Sequence, residues 1–112
     1  MRLDATTSLP DGRRVRLRFP QVSDHARIVH LHDRLGISVD EVELARALRF
    51  DPRTRTVLCA TVWDGERETI VGWAAAERGA TDLDLVLADE AVTPGIGDLL
   101  RGALTAHVRT AA

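Results

Sequence analysis

Hydrophobic and polar residues alternate along several short stretches of this chain, which is the pattern of half-buried strands. Arginines alternate with apolar residues from Arg14 to Phe19 and stop at Pro20, so this stretch predicts a first strand. A second and third strand are predicted on either side of a hairpin turn at Asp64-Gly65. These two strands cover Thr56–Trp63 and Thr69–Glu77, and a fourth strand is predicted over Leu83–Leu87.

Apolar residues at helical spacing predict three helices. The first begins at the cap signal Ser23-Asp24 and ends before Gly36. The second follows Ser38 and covers Val39–Leu48, and the last has an apolar stripe that begins at Ile96. Residues 1–10 are polar and lead into a turn signal, so we expect residues 1–12 to be a mobile lead-in. The predicted order, β-α-α-β-β-β-α, indicates an α/β (α+β) fold.

The composition narrows the class of protein. The chain has 112 residues, of which 45% are hydrophobic and 29% charged, and this suits one soluble domain over residues 1–112. Its net charge of −2 provides no bulk attraction for nucleic acid or an anionic membrane. No apolar run approaches the ~20 residues that span a bilayer, so we expect a cytoplasmic protein. The arginines of the first strand predict an exposed face: Arg13, Arg14, Arg16 and Arg18.

Cysteine and histidine provide no pattern of metal ligands. Cys59 is the sole cysteine, and its position among apolar residues of a predicted strand indicates a core side chain. Three histidines fall in the first predicted helix without a carboxylate or cysteine at matching spacing: His25, His30 and His32. We interpret them as surface or packing residues and expect no metal site.

The strongest candidate for ligand binding is the predicted strand Leu83–Leu87, the turn after it and the start of the last helix. Gly95 and Gly97 lie where this turn opens the helix. Amide N–H groups and the positive end of the helix dipole meet there, which favours a phosphate group. Alternatively, the turn is a plain connection in which Pro94 is the first helical residue.

The order of elements around this turn resembles the first two-thirds of the GNAT acetyltransferase superfamily. The hairpin ending in Ile70-Val71-Gly72-Trp73 is similar to the family's second and third strands, and Leu85–Glu90 is similar to its fourth. Gly95–Leu100 resembles the latter half of the pyrophosphate motif, usually written Gln/Arg-x-x-Gly-x-Gly/Ala. The resemblance implies a mixed, mostly antiparallel sheet, and it is nearest to the bacterial protein-acetylating branch.

The resemblance also implies a chemistry. Acetyl-CoA would be the co-substrate, with its pyrophosphate on helix amides and its pantetheine arm along the fourth strand. An amine, on a protein lysine or a small molecule, would attack the thioester. Asp82 would be the general base, acting through a water. By the same resemblance the phosphate-facing amides are those of Gly95, Ile96, Gly97 and Asp98, and the pantetheine contacts are Val86, Leu87 and Ala88.

The sequence departs from the family pattern in ways that leave a second hypothesis open. Val92 occupies the Gln/Arg position, and Pro94 stands where a basic residue is common. The family's C-terminal third is absent, and the chain has no tyrosine to protonate the leaving thiolate. The alternative is a catalytically degenerate module, acting as a regulatory or interaction subunit or as half of a split or dimeric enzyme. A third possibility, an unrelated small α/β binding domain, would have a different strand order.

Overall fold

The computed structural model describes residues 4–9, 12–51, 53–77, 83–88 and 95–111. Five strands form one sheet in chain order, and every neighbouring pair is antiparallel. The predicted α/β class is confirmed, with one strand more than expected. The strands are β1 (Asp4–Ser8), β2 (Arg14–Arg18), β3 (Arg55–Asp64), β4 (Arg67–Glu77) and β5 (Asp84–Leu87). The helices are α1 (His25–Leu35), which follows a 3-10 turn at Val22–Asp24, α2 (Glu41–Leu48) and α3 (Ile96–Ala111).

The additional strand is β1, in the segment where we expected a mobile lead-in. Asp4–Ser8 pairs with β2 along its whole length. The Leu9 amide donates to the Arg13 carbonyl at 2.7 Å, and the Leu9 side chain is only 3% exposed. The pattern of residues 1–10 gave no sign of a strand because β1 lacks alternating apolar positions. Instead, β1 is stabilised by its pairing with β2 and by the burial of Leu9.

The helices cover opposite faces of the sheet. Successive side chains of a strand point to opposite faces, and Gly72 and Trp73 are neighbours in β4. The Gly72 position faces Leu100 of α3, whereas the Trp73 indole contacts His32 of α1. Thus α3 lies on one face and α1 on the other, where Ala47 of α2 also packs against the sheet. None of the helices within the described ranges is long and apolar enough to cross a membrane.

The ends of the first two helices follow from their sequence, with one correction. Gly36 ends α1 in the left-handed conformation (φ 68°), as its sequence predicts. The helix α2 begins at Glu41, later than the predicted Val39, and its cap is Asp40. The Asp40 carboxylate accepts the amide N–H groups of Val42 at 3.0 Å and Glu43 at 3.2 Å. Asp40 directly precedes the helix, whereas Ser38 lies too far upstream to reach these donors.

Arg18 corrects the prediction of an exposed arginine face on β2. Its side chain is buried, and its two Nη atoms donate to the Asp24 carboxylate at 2.7 and 2.8 Å. Its guanidinium also donates to both Glu68 oxygens at 3.2 and 3.3 Å. Burial is the largest single influence on both acids and opposes their ionisation, but the hydrogen bonds from Arg18 together with the charges of Arg18 and Arg27 outweigh it and lower the pKa of Asp24 and of Glu68. This cluster fastens the start of α1 to β2 and β4.

Cys59 is confirmed as a core residue. Its side chain is fully buried, and its thiol donates to the Arg18 carbonyl at a sulfur–oxygen distance of 3.4 Å. Burial raises the pKa of the Cys59 thiol to about 12. The thiol therefore stays protonated at neutral pH and is not a nucleophile.

Candidate functional site

The predicted cofactor strand, β5, is the last strand of the sheet among the described residues, and one side of it has no neighbouring strand. On its other side the Ala88 amide donates to the Val71 carbonyl at 2.8 Å. In an antiparallel ladder alternate residues direct their backbone groups toward the same neighbour. Val86 and Ala88 therefore face β4, and the backbone groups of Leu85 and Leu87 face the open edge.

This register divides the three residues that the sequence assigned to the pantetheine arm. Leu87 presents its backbone N–H and C=O at the open edge, opposite Gly72 on the β4 side. The backbone groups of Val86 and Ala88 are used within the sheet, and the Ala88 side chain is buried. Leu85 shares the outward direction of Leu87, although no sequence pattern assigned it to the cofactor. Only the pairing with β4 reveals which alternate residues face outward.

The start of α3 brings together the residues that the sequence assigned to the phosphate groups. Gly95 has a φ of 86°, and its carbonyl accepts the Leu99 amide at 3.1 Å as the first turn of the helix. The amides of Ile96, Gly97 and Asp98 precede that bond, so the helix itself offers them no carbonyl. The Ile96 side chain is fully buried and anchors this end, whereas Asp98 is exposed.

Gly72 explains how closely β5 and α3 approach β4. A Cβ at this position would lie 2.9 Å from Leu87 Cδ2, 3.1 Å from Leu100 Cδ1 and 3.2 Å from the Val86 carbonyl oxygen. One of these neighbours is backbone, so it cannot move away by changing rotamer. The absence of a side chain at Gly72 therefore sets the spacing between β5, α3 and the rest of the sheet.

The predicted base and the residues that depart from the family motif lie outside the described residues: Asp82, Val92 and Pro94. Asp84, the second carboxylate of this region, is described and exposed, and it pairs with Ala75 of β4.

On the α1 side of the sheet lies the indole of Trp73, the β4 residue that pairs with Val86 of β5. Its Nε1–H donates to His32 Nε2 at 3.2 Å, and the two rings are nearly parallel at 9°. Because Nε2 accepts this bond, a neutral His32 carries its proton on Nδ1, a buried atom without a hydrogen-bond partner among the described residues. His32 therefore packs against Trp73 and orients it, which matches its interpretation as a packing residue.

Comparison with known proteins identifies the fold. No protein-family model matches the chain, and no curated protein sequence matches it. Among solved structures, the crystal structure of the GNAT domain of S. lividans PAT matches with a TM-score of 0.79 and 18% sequence identity. The match covers 96% of this chain and 72% of that one. The chain thus has a GNAT-like fold that lacks part of the C-terminal region, and the fold-level part of the resemblance is confirmed.

Proposed function

We propose that this chain is a GNAT-type N-acetyltransferase module, which binds acetyl-CoA and transfers its acetyl group to an amine. The main support is the junction of β5 and α3 within a GNAT-like fold. β5 has an open edge at Leu85 and Leu87, and the first amides of α3 have no helical partner. An extended amide-bearing arm suits the strand edge, and a diphosphate suits the helix end.

Within this proposal each part of the junction has a role. The amides of the segment Gly95–Asp98 and the helix dipole would bind the pyrophosphate. Leu87, together with Leu85, would pair with the pantetheine amides, while Val86 and Ala88 hold the strand against β4. The acceptor nitrogen would attack the thioester carbon as the C–S bond breaks and CoA leaves as a thiolate, and the proton of the nitrogen would pass through a water to Asp82. The bacterial protein-acetylating branch and a cytoplasmic location remain predictions from the sequence.

Calorimetric titration with acetyl-CoA tests the proposal through two matched variants of α3. Gly97→Glu places a carboxylate beside the amides of the first turn, and we expect it to weaken acetyl-CoA binding at least about tenfold by repelling the diphosphate. Gly102→Glu makes the same change farther along the helix, where Gly102 is exposed and has open space around it. Its affinity should equal that of the unmodified chain.

Two outcomes would contradict the proposal. Absence of binding heat and of a thermal shift at millimolar acetyl-CoA would show that the chain does not bind this cofactor. Equal weakening by both variants would show that binding does not involve the start of α3. Retention of the far-ultraviolet circular dichroism spectrum establishes that each variant is folded, so either outcome is decisive.

The open edge of β5 also favours the second candidate function, a module that works by association. A strand with one unpaired side can add a strand from another chain. In that case light scattering should show a homodimer at micromolar concentration, or a complex with a partner chain. A monomer that still transfers acetyl groups from acetyl-CoA would exclude this alternative.

A further inference from the structure

A groove of about 730 Å³ lies between α1 and the start of β4. One wall is lined by Ser23 of the 3-10 turn and by three residues on one side of α1: Ala26, Arg27 and His30. The opposite wall is the segment Glu66–Thr69. The groove is on the α1 side of the sheet, whereas α3 packs on the other side. Its volume is that of a small-molecule site.

Arg27 is held in place at the edge of this groove. Its Nε donates to the Glu68 carbonyl at 3.1 Å, and its Nη1 donates to Asp24 Oδ1 at 3.1 Å and to the Ser23 carbonyl at 3.4 Å. Its Nη2 has no hydrogen-bond partner among the described residues, and the side chain is 36% exposed. The guanidinium is therefore fixed in orientation and has two N–H donors available.

The two carboxylates nearest to Arg27 are already paired. Arg18 donates to both oxygens of Asp24 and to both oxygens of Glu68. The pKa of each acid is lowered, so both are ionised at neutral pH. Their two negative charges balance the positive charges of Arg18 and Arg27. Arg16 Nη1 also lies 3.9 Å from Glu68 Oε2.

The remaining groups of the lining are mostly hydrogen-bond donors. Arg67 and His30 are exposed, and neither has a hydrogen bond or ion pair to another side chain in the described part of the chain. Ser23 and Thr69 contribute hydroxyl groups. Glu66 is the single unpaired carboxylate of the described lining, and it disfavours a bare dianion while favouring a ligand that also has a cationic end.

We propose that this groove binds the phosphate monoester group of a small molecule, through Arg27 and His30 on one wall and Arg67 on the other. A tetrahedral phosphate directs its oxygens to several sides, which suits donors on two facing walls, whereas a planar carboxylate suits one arginine fork. Glu66 would pair with an ammonium group on the same ligand. This site is independent of the acetyl-CoA site and does not depend on the acetyltransferase proposal.

Titration with phosphoethanolamine, followed by NMR and calorimetry, tests the groove. Arg67→Gln removes a positive charge and His30→Ala removes the imidazole donor, each from an exposed side chain without a structural bond, and we expect each to weaken binding about tenfold or more. Arg101→Gln is the matched control, because Arg101 is exposed on α3 and so lies on the other side of the sheet. Its affinity should be unchanged.

Several results would overturn the proposal: no saturable binding of phosphoethanolamine, equal weakening by the Arg101 control, or acetate binding as tightly as the phosphate ester. Inorganic phosphate should bind more weakly than phosphoethanolamine, since it lacks an ammonium group to pair with Glu66. If inorganic phosphate binds more tightly, Glu66 does not contact the ligand and that part of the proposal is wrong. Acetyl-CoA affinity of Arg67→Gln, measured in parallel, should match that of the unmodified chain. Failure of the groove is thereby distinguished from failure of the acetyltransferase proposal.

Discussion

Replacing Arg18 with methionine is expected to lower the free energy of unfolding by about 3–5 kcal/mol, because it leaves two buried or half-buried carboxylates without their partner. Asp24 is fully buried, and the Arg18 side chain is 6% exposed. Arg27 still contacts Asp24 in the variant, but it offers a single bond at 3.1 Å in place of a pair. Denaturant unfolding measures the loss.

The same variant should change how stability depends on pH. Asp24 and Glu68 have ordinary pKa values of 3.8 and 4.5, and both are lowered in the folded chain. A carboxyl group of this kind contributes its stability fully above the unfolded value and loses it as pH falls through the lowered folded value. The unmodified chain should therefore lose stability below about pH 4.5, and Arg18→Met should show a smaller loss over that range.

Arg101→Met is the control for charge and size, since Arg101 is exposed on α3 and its replacement should change stability by less than about 0.5 kcal/mol. In the double variant Arg18→Met/Asp24→Asn, the buried charge of Asp24 disappears, so the combined loss should be smaller than the sum of the single losses. A loss for Arg18→Met no larger than that of the control would show that the buried cluster contributes nothing.

Leu100→Ala is expected to cost about 2–5 kcal/mol, because it removes a fully buried side chain and leaves a cavity between α3 and the sheet. Leu100 Cδ1 lies close to the Gly72 position of β4, so the loss weakens the contact that holds α3 over the sheet. Thermal or denaturant unfolding measures it. Val42→Ala is the control, since Val42 is 70% exposed and should lose little.

A double-variant cycle with Gly72 tests this packing directly. Gly72→Ala alone should be destabilising, because the new methyl group would meet Leu87 Cδ2 at 2.9 Å and Leu100 Cδ1 at 3.1 Å. In the Leu100→Ala background one of these contacts is gone, so the same methyl group should cost less. Strictly additive losses would mean that Leu100 and Gly72 do not pack against each other.

The sequence by itself determined the class and most elements of this fold. The alternation in β2 and the apolar runs of β3 and β4 predicted these strands. Side chains of a strand alternate between its two faces, so the local order of apolar and polar residues indicates which face is buried. Gly36 ends α1 since glycine alone tolerates the left-handed backbone without cost. The strand β5 and the helix α3 were predicted for the same reason, since their apolar positions are local features.

The tertiary structure alone decided what depends on pairing across the chain. Arg18 follows the same alternation as the exposed arginines, yet it is buried because Asp24 and Glu68, 6 and 50 residues away, meet its guanidinium. The outward direction of Leu85 and Leu87 depends on the register with β4, and the groove beside Arg27 exists only once α1 lies against the hairpin. A linear pattern records which side chains are apolar, but it does not record which distant partner neutralises a charge or occupies an edge.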